Sequence, residues 1–452
     1  MQVFRRIQPR PADARVPLTA IQAQMWSYMR EHGNVSLRTC ASTIRIVGKL
    51  DAALLERCIG LIVRRHESLR TRIAEVDGLA QQFFDEAEQF ELVTVDLSNS
   101  THPLEDKARQ LIHAFCAEKV DLTRGPLFAA RLFKLSQTDH VLVCALDHMI
   151  SDGTSLGILD TDVWTAYRQA ADGLPILLPP LSAQFGDYCV WQEDNYISWR
   201  EQHQEYWRAR LHGAPELRIP RTGACGDSSS CTSESRHFPL GKHLSERLCV
   251  QAERDRVPVA WLLLAVYAVV MSRWCNQQDV LLTFVSHARY RDELRPMIGF
   301  VASYVYVRLH VPEAVALSSI VREIKRQMFL AVQHEDFGRV TGLLSEWGVP
   351  YTEGYFNWLP NFGAQRPFDF GQTGAEEFEL RPFPFRVPIP ADFFPLFYDS
   401  AEEIVLIVDF KPSVFPHSVV EEFAIDIASL AEEFLEHTRL SSDEATAHSI
   451  SA

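Results

Sequence analysis

The sequence predicts an α/β chain, an α+β sandwich repeated in two lobes of similar class. Three observations carry that expectation. Stretches of helical and strand period alternate through both halves, with no short internal repeat. The segment 141–146 is apolar at every position, the pattern of a strand buried on both faces. A proline-rich break at 174–180 divides the chain into lobes of 1–178 and 179–440, followed by a polar tail, 441–452, expected to lack fixed structure.

Taken in order, residues 19–30 read as a helix, with Thr19 as N-cap and Gln22 completing the spacing of a capping box. Residues 42–47 alternate like a half-buried strand. Asp51 caps a helix over 52–65, whose Leu54, Leu55, Cys58 and Ile62 recur at helical spacing. Residues 127–135 and 140–146 form a hairpin about 136–139, and its second strand delivers Asp147 and His148 into the interior. A helix over roughly 154–170 follows. The second half opens with a polar-aromatic helix through 191–211 and a Gly/Ser loop at 223–230. Next come a strand at 235–240, a long apolar helix through 257–271 and a strand at 280–285. Pro382, Pro384, Pro388, Pro390 and Pro395 hold 381–395 extended.

Composition narrows the function. With 44 Lys+Arg against 59 Asp+Glu among 452 residues, the net charge of −15 argues against a nucleic-acid binder, which needs a basic face. The longest apolar run, 257–271, falls short of the roughly 20 residues that cross a bilayer. No targeting segment opens the chain, so a cytoplasmic monomer without membrane attachment is expected. The nine cysteines are scattered; only Cys225 and Cys231 share a flexible stretch, and no disulfide framework is expected. His140, His148 and His287 lack metal-ligand spacing, so no metal is expected.

The informative stretch is His148-Met149-Ile150-Ser151-Asp152-Gly153, at the end of the buried strand. An imidazole there can take a proton from an attacking amine or alcohol if its pKa lies near working pH. A structural histidine in a polar strand-end turn fits this short pattern equally well. Gly153-Thr154-Ser155-Leu156-Gly157 carries the letters of a nucleophile elbow, but Ser155 reads as already inside the next helix.

The surrounding blocks extend the pattern. They are Leu18-Thr19-Ala20-Ile21-Gln22-Ala23-Gln24-Met25-Trp26, Arg65-His66-Glu67-Ser68-Leu69-Arg70-Thr71, Phe185-Gly186-Asp187-Tyr188-Cys189-Val190-Trp191, Met297-Ile298-Gly299-Phe300-Val301 and His334-Glu335-Asp336-Phe337. With Asp147-His148-Met149-Ile150-Ser151-Asp152-Gly153, they resemble, in order, the condensation domains of nonribosomal peptide synthetases, within the chloramphenicol-acetyltransferase-like acyltransferase superfamily. The resemblance covers nearly the whole chain. It implies two acetyltransferase-like lobes in a V-shaped pseudo-dimer with a central tunnel, and His148 as the catalytic residue. It also implies Asp152 paired with Arg289 as a structural clamp, Gly153 as the turn, and Asn357, Ser303 and Ser151 as candidate tunnel or substrate residues. Substrates would arrive as thioesters on the 4′-phosphopantetheine arms of acyl or peptidyl carrier proteins recruited in trans, with no cofactor bound by the chain itself. The acceptor would be a small molecule or carrier-bound. For docking an acidic carrier, Arg5, Arg6, Arg10, Arg15, Arg64 and Arg65 are candidates, ordinary solvated arginines being the plainer reading of each.

Three positions depart from the family pattern. Asp147 stands where the signature has its first histidine, a mainly structural residue; Gln24 replaces an arginine; Ala302-Ser303-Tyr304 replaces Val-Asn-Thr. The expected function is transfer of an acyl or peptidyl group to an amine or hydroxyl. A coenzyme A-dependent O- or N-acyltransferase, a catalytically inactive recruitment domain and an epimerisation relative stay open beside it.

Overall fold

The continuously apolar strand organises the first half. In the computed structural model, which describes all residues except 1–5, 32–34, 38–39, 87–89, 101–102, 222–232, 335–338, 351–352, 360–378, 383–391, 401 and 451–452, the chain divides into two compact units. Residues 1–199, 287–303 and 362–387 form the first, and 200–286, 304–361 and 388–452 the second. The first unit therefore takes in residues 179–199, 287–303 and 362–387, which the linear reading gives to the second lobe.

The first unit opens with β1 (Val16–Pro17), α1 (Ala20–Glu31), β2 (Val35–Leu37), β3 (Cys40–Val47) and α2 (Ala52–Arg65). After a 3-10 turn (Glu67–Arg70) come β4 (Thr71–Val76), β5 (Leu79–Phe84), β6 (Val93–Asp96), α3 (Leu104–Cys116), β7 (Lys119–Asp121), β8 (Phe128–Ser136) and β9 (Asp139–Leu146). A second 3-10 turn (His148–Ile150) leads into α4 (Gly153–Ala171), and α5 (Phe185–Leu211) carries the chain onward. Both expected caps form: Thr19 and Gln22 exchange hydrogen bonds, and Asp51 accepts from the Leu54 amide at 2.9 Å.

β9 lies between antiparallel β3 and β8. Its Leu142, Cys144 and Leu146 join the core with Ile59 and Ile62 of α2 and Leu159 and Val163 of α4. Its Val141, Val143 and Ala145 join Ile112 and Phe115 of α3. Both pleat faces are thus covered, which is why no polar residue interrupts the strand from Val141 to Leu146.

The second unit is built from β10 (Glu234–Pro239), α6 (Lys242–Asp255), α7 (Val259–Cys275), β11 (Asp279–Ser286), β12 (Ser303–His310), α8 (Leu317–Gln333), α9 (Arg339–Leu343) and β13 (Tyr355–Leu359). After β14 (Glu379–Pro382) follow β15 (Phe393–Asp399), β16 (Ile404–Phe410) and α10 (His417–Ile450). Its six-stranded sheet runs β10-β16-β15-β13-β11-β12. α7, the apolar run of the sequence, is buried from Leu262 through Ser272. α6 does not stand apart from it in the sequence, because its stripe of Leu244, Leu248 and Ala252 is diluted by charged neighbours. α10 continues to Ile450, over residues whose composition predicts a tail without fixed structure. β14 belongs to the first unit: it pairs antiparallel with β3, completing the sheet β14-β3-β9-β8-β6. Cys225, Cys231, Arg5, the acidic part of the 334–337 block and most of the proline-rich segment lie outside the described residues. Among those described, no single helix is long and apolar enough to cross a membrane.

Candidate active site

β9 ends at Leu146, and the backbone turns at once. Asp147 is fully buried, and its Oδ1 accepts from the Met149 amide at 2.8 Å, capping the 3-10 turn that begins with His148. The strand geometry that would set adjacent side chains on opposite faces therefore stops one residue short of the histidine, and the buried carboxylate has a backbone partner. α1 braces the same turn, since Gln22 Nε2 donates to the Met149 carbonyl at 2.5 Å.

The His148 ring is anchored from one side. Nδ1 lies 2.7 Å from the Ser151 carbonyl, which can only accept, so Nδ1 carries the hydrogen. Ser151 itself is buried, and its hydroxyl donates to the Asp147 carbonyl at 3.0 Å. Phe300 stacks on the imidazole at 4.6 Å between centroids. Burial works to lower the His148 pKa, but the Cys40 sulfur, the Ser151 carbonyl and the Asp152 carboxylate outweigh it and push it up to about 10.

Asp152 and Gly153 start α4. Asp152 Oδ2 accepts from Arg289 Nη1 at 2.7 Å and from the Val301 and Ala302 amides at 3.1 and 3.0 Å. Its Oδ1 accepts from the Ser155 amide and hydroxyl at 2.9 and 2.8 Å, closing a capping box. Burial alone would raise this carboxyl; Arg289 and Ser155 prevail and hold it below the ordinary range. Ser155 is fully buried and also bonds both the amide and the carbonyl of Gly299. Its hydroxyl is a fastener between α4 and the 287–303 segment, an arrangement unlike that of an exposed nucleophile. Gly299 must lack a side chain, because a Cβ would run into the Phe185 ring.

The other blocks fasten the same unit. His66 Nε2 and Arg65 Nε both lie 2.9 Å from Asp162 of α4. Arg10 bonds Glu67 at 2.9 Å and Asp187 at 2.8 Å. Arg10 and Arg65 are thus internal ion-pair partners, which corrects their reading as candidate docking residues. Arg6 and Arg64 are exposed. Ser303 is buried at the end of the 287–303 segment. Asn357 belongs to the second unit, in β13 between Val285 of β11 and Leu396 of β15.

Sequence reasoning passes over the roles of four residues here. Cys40 stands opposite Leu146 in the β3–β9 register, and its sulfur is one of the groups that raise the His148 pKa. Phe300 stands in the sequence only as a letter of the 297–301 block. On the same face of β3, the Ser42 hydroxyl lies 2.8 and 2.7 Å from the two carboxylate oxygens of Asp160 in α4. Burial pushes the Asp160 carboxyl up to about 7, against the pull of Ser42. Among the described residues, no cluster of three His, Cys, Asp or Glu side chains is placed to hold a metal.

The fold of this chain is shared by several solved structures. The X-domain from teicoplanin biosynthesis matches with a TM-score of 0.79 at 21% identity, covering 96% of this chain and 97% of that one. The first condensation domain of the calcium-dependent antibiotic synthetase matches with 0.77 at 22% identity, covering 93% and 97%. The epimerization domain from the third module of tyrocidine synthetase B matches with 0.75 at 20% identity, covering 96% and 99%. The chain belongs to the condensation domain family, whose model matches residues 13–449. Tyrocidine synthase 3 of Brevibacillus parabrevis is 28% identical over 333 residues, which are 73% of this chain and 5% of that protein. Bacitracin synthase 2 of Bacillus licheniformis is 25% identical over 338 residues, 74% of this chain and 12% of that protein. The chain thus spans a small fraction of the curated relatives it matches.

Proposed function

We propose that this chain is a condensation-type acyltransferase of nonribosomal peptide or hybrid polyketide biosynthesis. It transfers an acyl or peptidyl group from a carrier-bound phosphopantetheine thioester to an amine or hydroxyl, giving an amide or ester. The observation that carries the reading is the half-buried His148 ring, tethered through Nδ1–H to Ser151 and stacked on Phe300, which leaves Nε2 as the nitrogen for a substrate. Attack on the thioester carbonyl places negative charge on its oxygen, and C–S cleavage then releases a thiol. A ring that holds its proton at neutral pH acts by donating to that charge or to the leaving sulfur. Free imidazole acting as a base is the lesser role. Asp152 and Arg289 hold the turn and the 287–303 segment together, and Gly153 opens the helix between them. The acyl arm belongs to the donor, so the chain supplies position and charge.

The test is intact-mass analysis of an acylated carrier protein mixed with the chain and a pool of amines and alcohols, wild type beside His148→Ala. Acyl loss with a matching product in wild type alone supports the reading. Turnover with acyl-coenzyme A and no carrier selects the small-thioester variant. A recruitment module is the second reading, favoured by Asp147 in the signature and by the X-domain among the structural neighbours. Carrier binding without transfer, across varied acyl donors, selects it.

A further inference from the structure

Asp152 at the start of α4 pairs with Arg289, and Asp162 further along it pairs with Arg65. Between them, Asp160 has no cation among the described residues. Its carboxylate meets one hydrogen-bonding group there, the Ser42 hydroxyl of β3, at 2.8 and 2.7 Å from the two oxygens. A hydroxyl has one hydrogen to give, so it satisfies one of those oxygens. The other keeps its acceptor capacity unless the carboxyl itself takes a proton. Burial, opposed by Ser42, pushes this carboxyl up to about 7, as expected of an acid held without a countercharge. Its position relates it to the histidine turn. Gly153, Gly157 and Asp160 recur at helical spacing on one face of α4, and all three are half-buried. No side chain stands on that face at Gly153 or Gly157, and the helix rises roughly 10 Å from Gly153 to Asp160. Ser42 stands opposite Cys144 of β9, the strand that ends at the same turn.

We propose that Asp160, held by Ser42, is a specificity-determining residue that receives a primary ammonium group carried by the substrate. This rests on the acyl-transfer reading above and names the substrate class for it. An ammonium brings three N–H donors and the positive charge that the carboxylate lacks. At the end of a chain of about five or six carbons, it reaches from the histidine turn to Asp160 with its hydrogen bond included. The substrate is therefore an ω-amino acyl donor or an acceptor with a lysine-like side chain. The apolar isostere of either binds more weakly, because it covers the carboxyl without pairing it.

The experiment titrates the whole chain calorimetrically at pH 8 with two isosteric pairs of probes. The donor pair is the thioethers S-(6-aminohexyl)-N-acetylcysteamine and S-heptyl-N-acetylcysteamine, which cannot transfer. The acceptor pair is lysinamide and 2-aminoheptanamide. In one pair the amine-ended member should bind about tenfold tighter, and which pair does so tells donor from acceptor. Asp160→Asn, with its melting curve checked, should erase the difference. In transfer from carrier-bound or small thioesters, the same substitution should lower kcat/KM for the amine-bearing substrate about tenfold. No preference in either pair, or a preference that survives Asp160→Asn, overturns the proposal. Equal transfer of amine-bearing and apolar substrates also overturns it, while leaving the acyltransferase reading intact. A preference abolished by Asp160→Asn in a chain that transfers nothing keeps the ammonium site and refutes the acyltransferase reading.

Discussion

In the first unit, Arg289 and Asp152 pair at 2.7 Å with side chains 4% and 3% exposed; in the second, Arg308 and Asp279 pair at 2.7 Å with side chains 24% and 39% exposed. The contrast runs through both units. The first also sinks Arg10 between Glu67 and Asp187, and sets His66 and Arg65 on Asp162. The second fills its interior with apolar rings, Tyr267, Phe356, Phe393 and Phe423 about the buried α7. Burying ions costs desolvation that well-packed apolar side chains avoid, so the first unit's pairs contribute little as plain stability. They fix location instead. Asp152 alone receives five hydrogen bonds, tying the start of α4 to the 287–303 segment that brings Phe300 onto His148. Both units have buried apolar cores, and the first adds buried directional contacts around the histidine turn.

The strongest break of that comparison is at the histidine. His148→Ala should cut transfer by about 10²–10⁴-fold in a chain that still folds, as checked by circular dichroism. Full activity in that variant would leave the first unit's network without a catalytic purpose. Next are the two ion pairs. Asp152→Ala strands a buried guanidinium and should cost about 3–5 kcal/mol in denaturant unfolding. Asp279→Ala, at a half-exposed pair, should cost about 0–1 kcal/mol. Equal costs would erase the distinction between the units.

A pH series sharpens the contrast. Asp152 titrates below its ordinary range when folded, so its contribution is complete above the unfolded pKa and is lost as pH falls through the folded one. His148 has the opposite sign: its contribution is complete below about 6.5 and disappears as pH rises through about 10. Histidine NMR should find the ring protonated at pH 8 in wild type. In Cys40→Ala its pKa should fall, because burial then meets less opposition. The smallest effect belongs to Asp160. Its folded pKa is raised to about 7, so stability declines as pH climbs from the unfolded carboxylate range to that value. Asp160→Asn should raise the melting temperature by about 3 °C at pH 8 and hardly at all at pH 4. An equal gain at both pH values would mean that the carboxyl is not held neutral.

Much of the first unit is legible in the sequence because local rules agree there. Thr19 with Gln22 and Asp51 with Leu54 are caps that read directly from spacing. The unbroken apolar run of β9 announces a strand covered on both faces. The histidine turn is legible as a signature, while Arg289 is linked to Asp152 only through a family resemblance, since the two are remote in sequence. Cys40 is invisible for another reason: its neighbour depends on the register of two antiparallel strands, and a slip of one residue would turn it away. α6 is hidden by its charged face, and β14 by a partner strand about three-quarters of the chain away.

That last pairing sets an order of events during synthesis. As the chain leaves the ribosome, β3 can find β9 early, but its other edge waits for residues 379–382. Until then the strand that carries Cys40 offers unpaired backbone groups along its outer side, an open template for a neighbouring nascent chain. A fragment ending before β14 keeps that hazard permanently, so attempts to produce the histidine-bearing half alone should give aggregates that addition of the remaining sequence in the same polypeptide relieves.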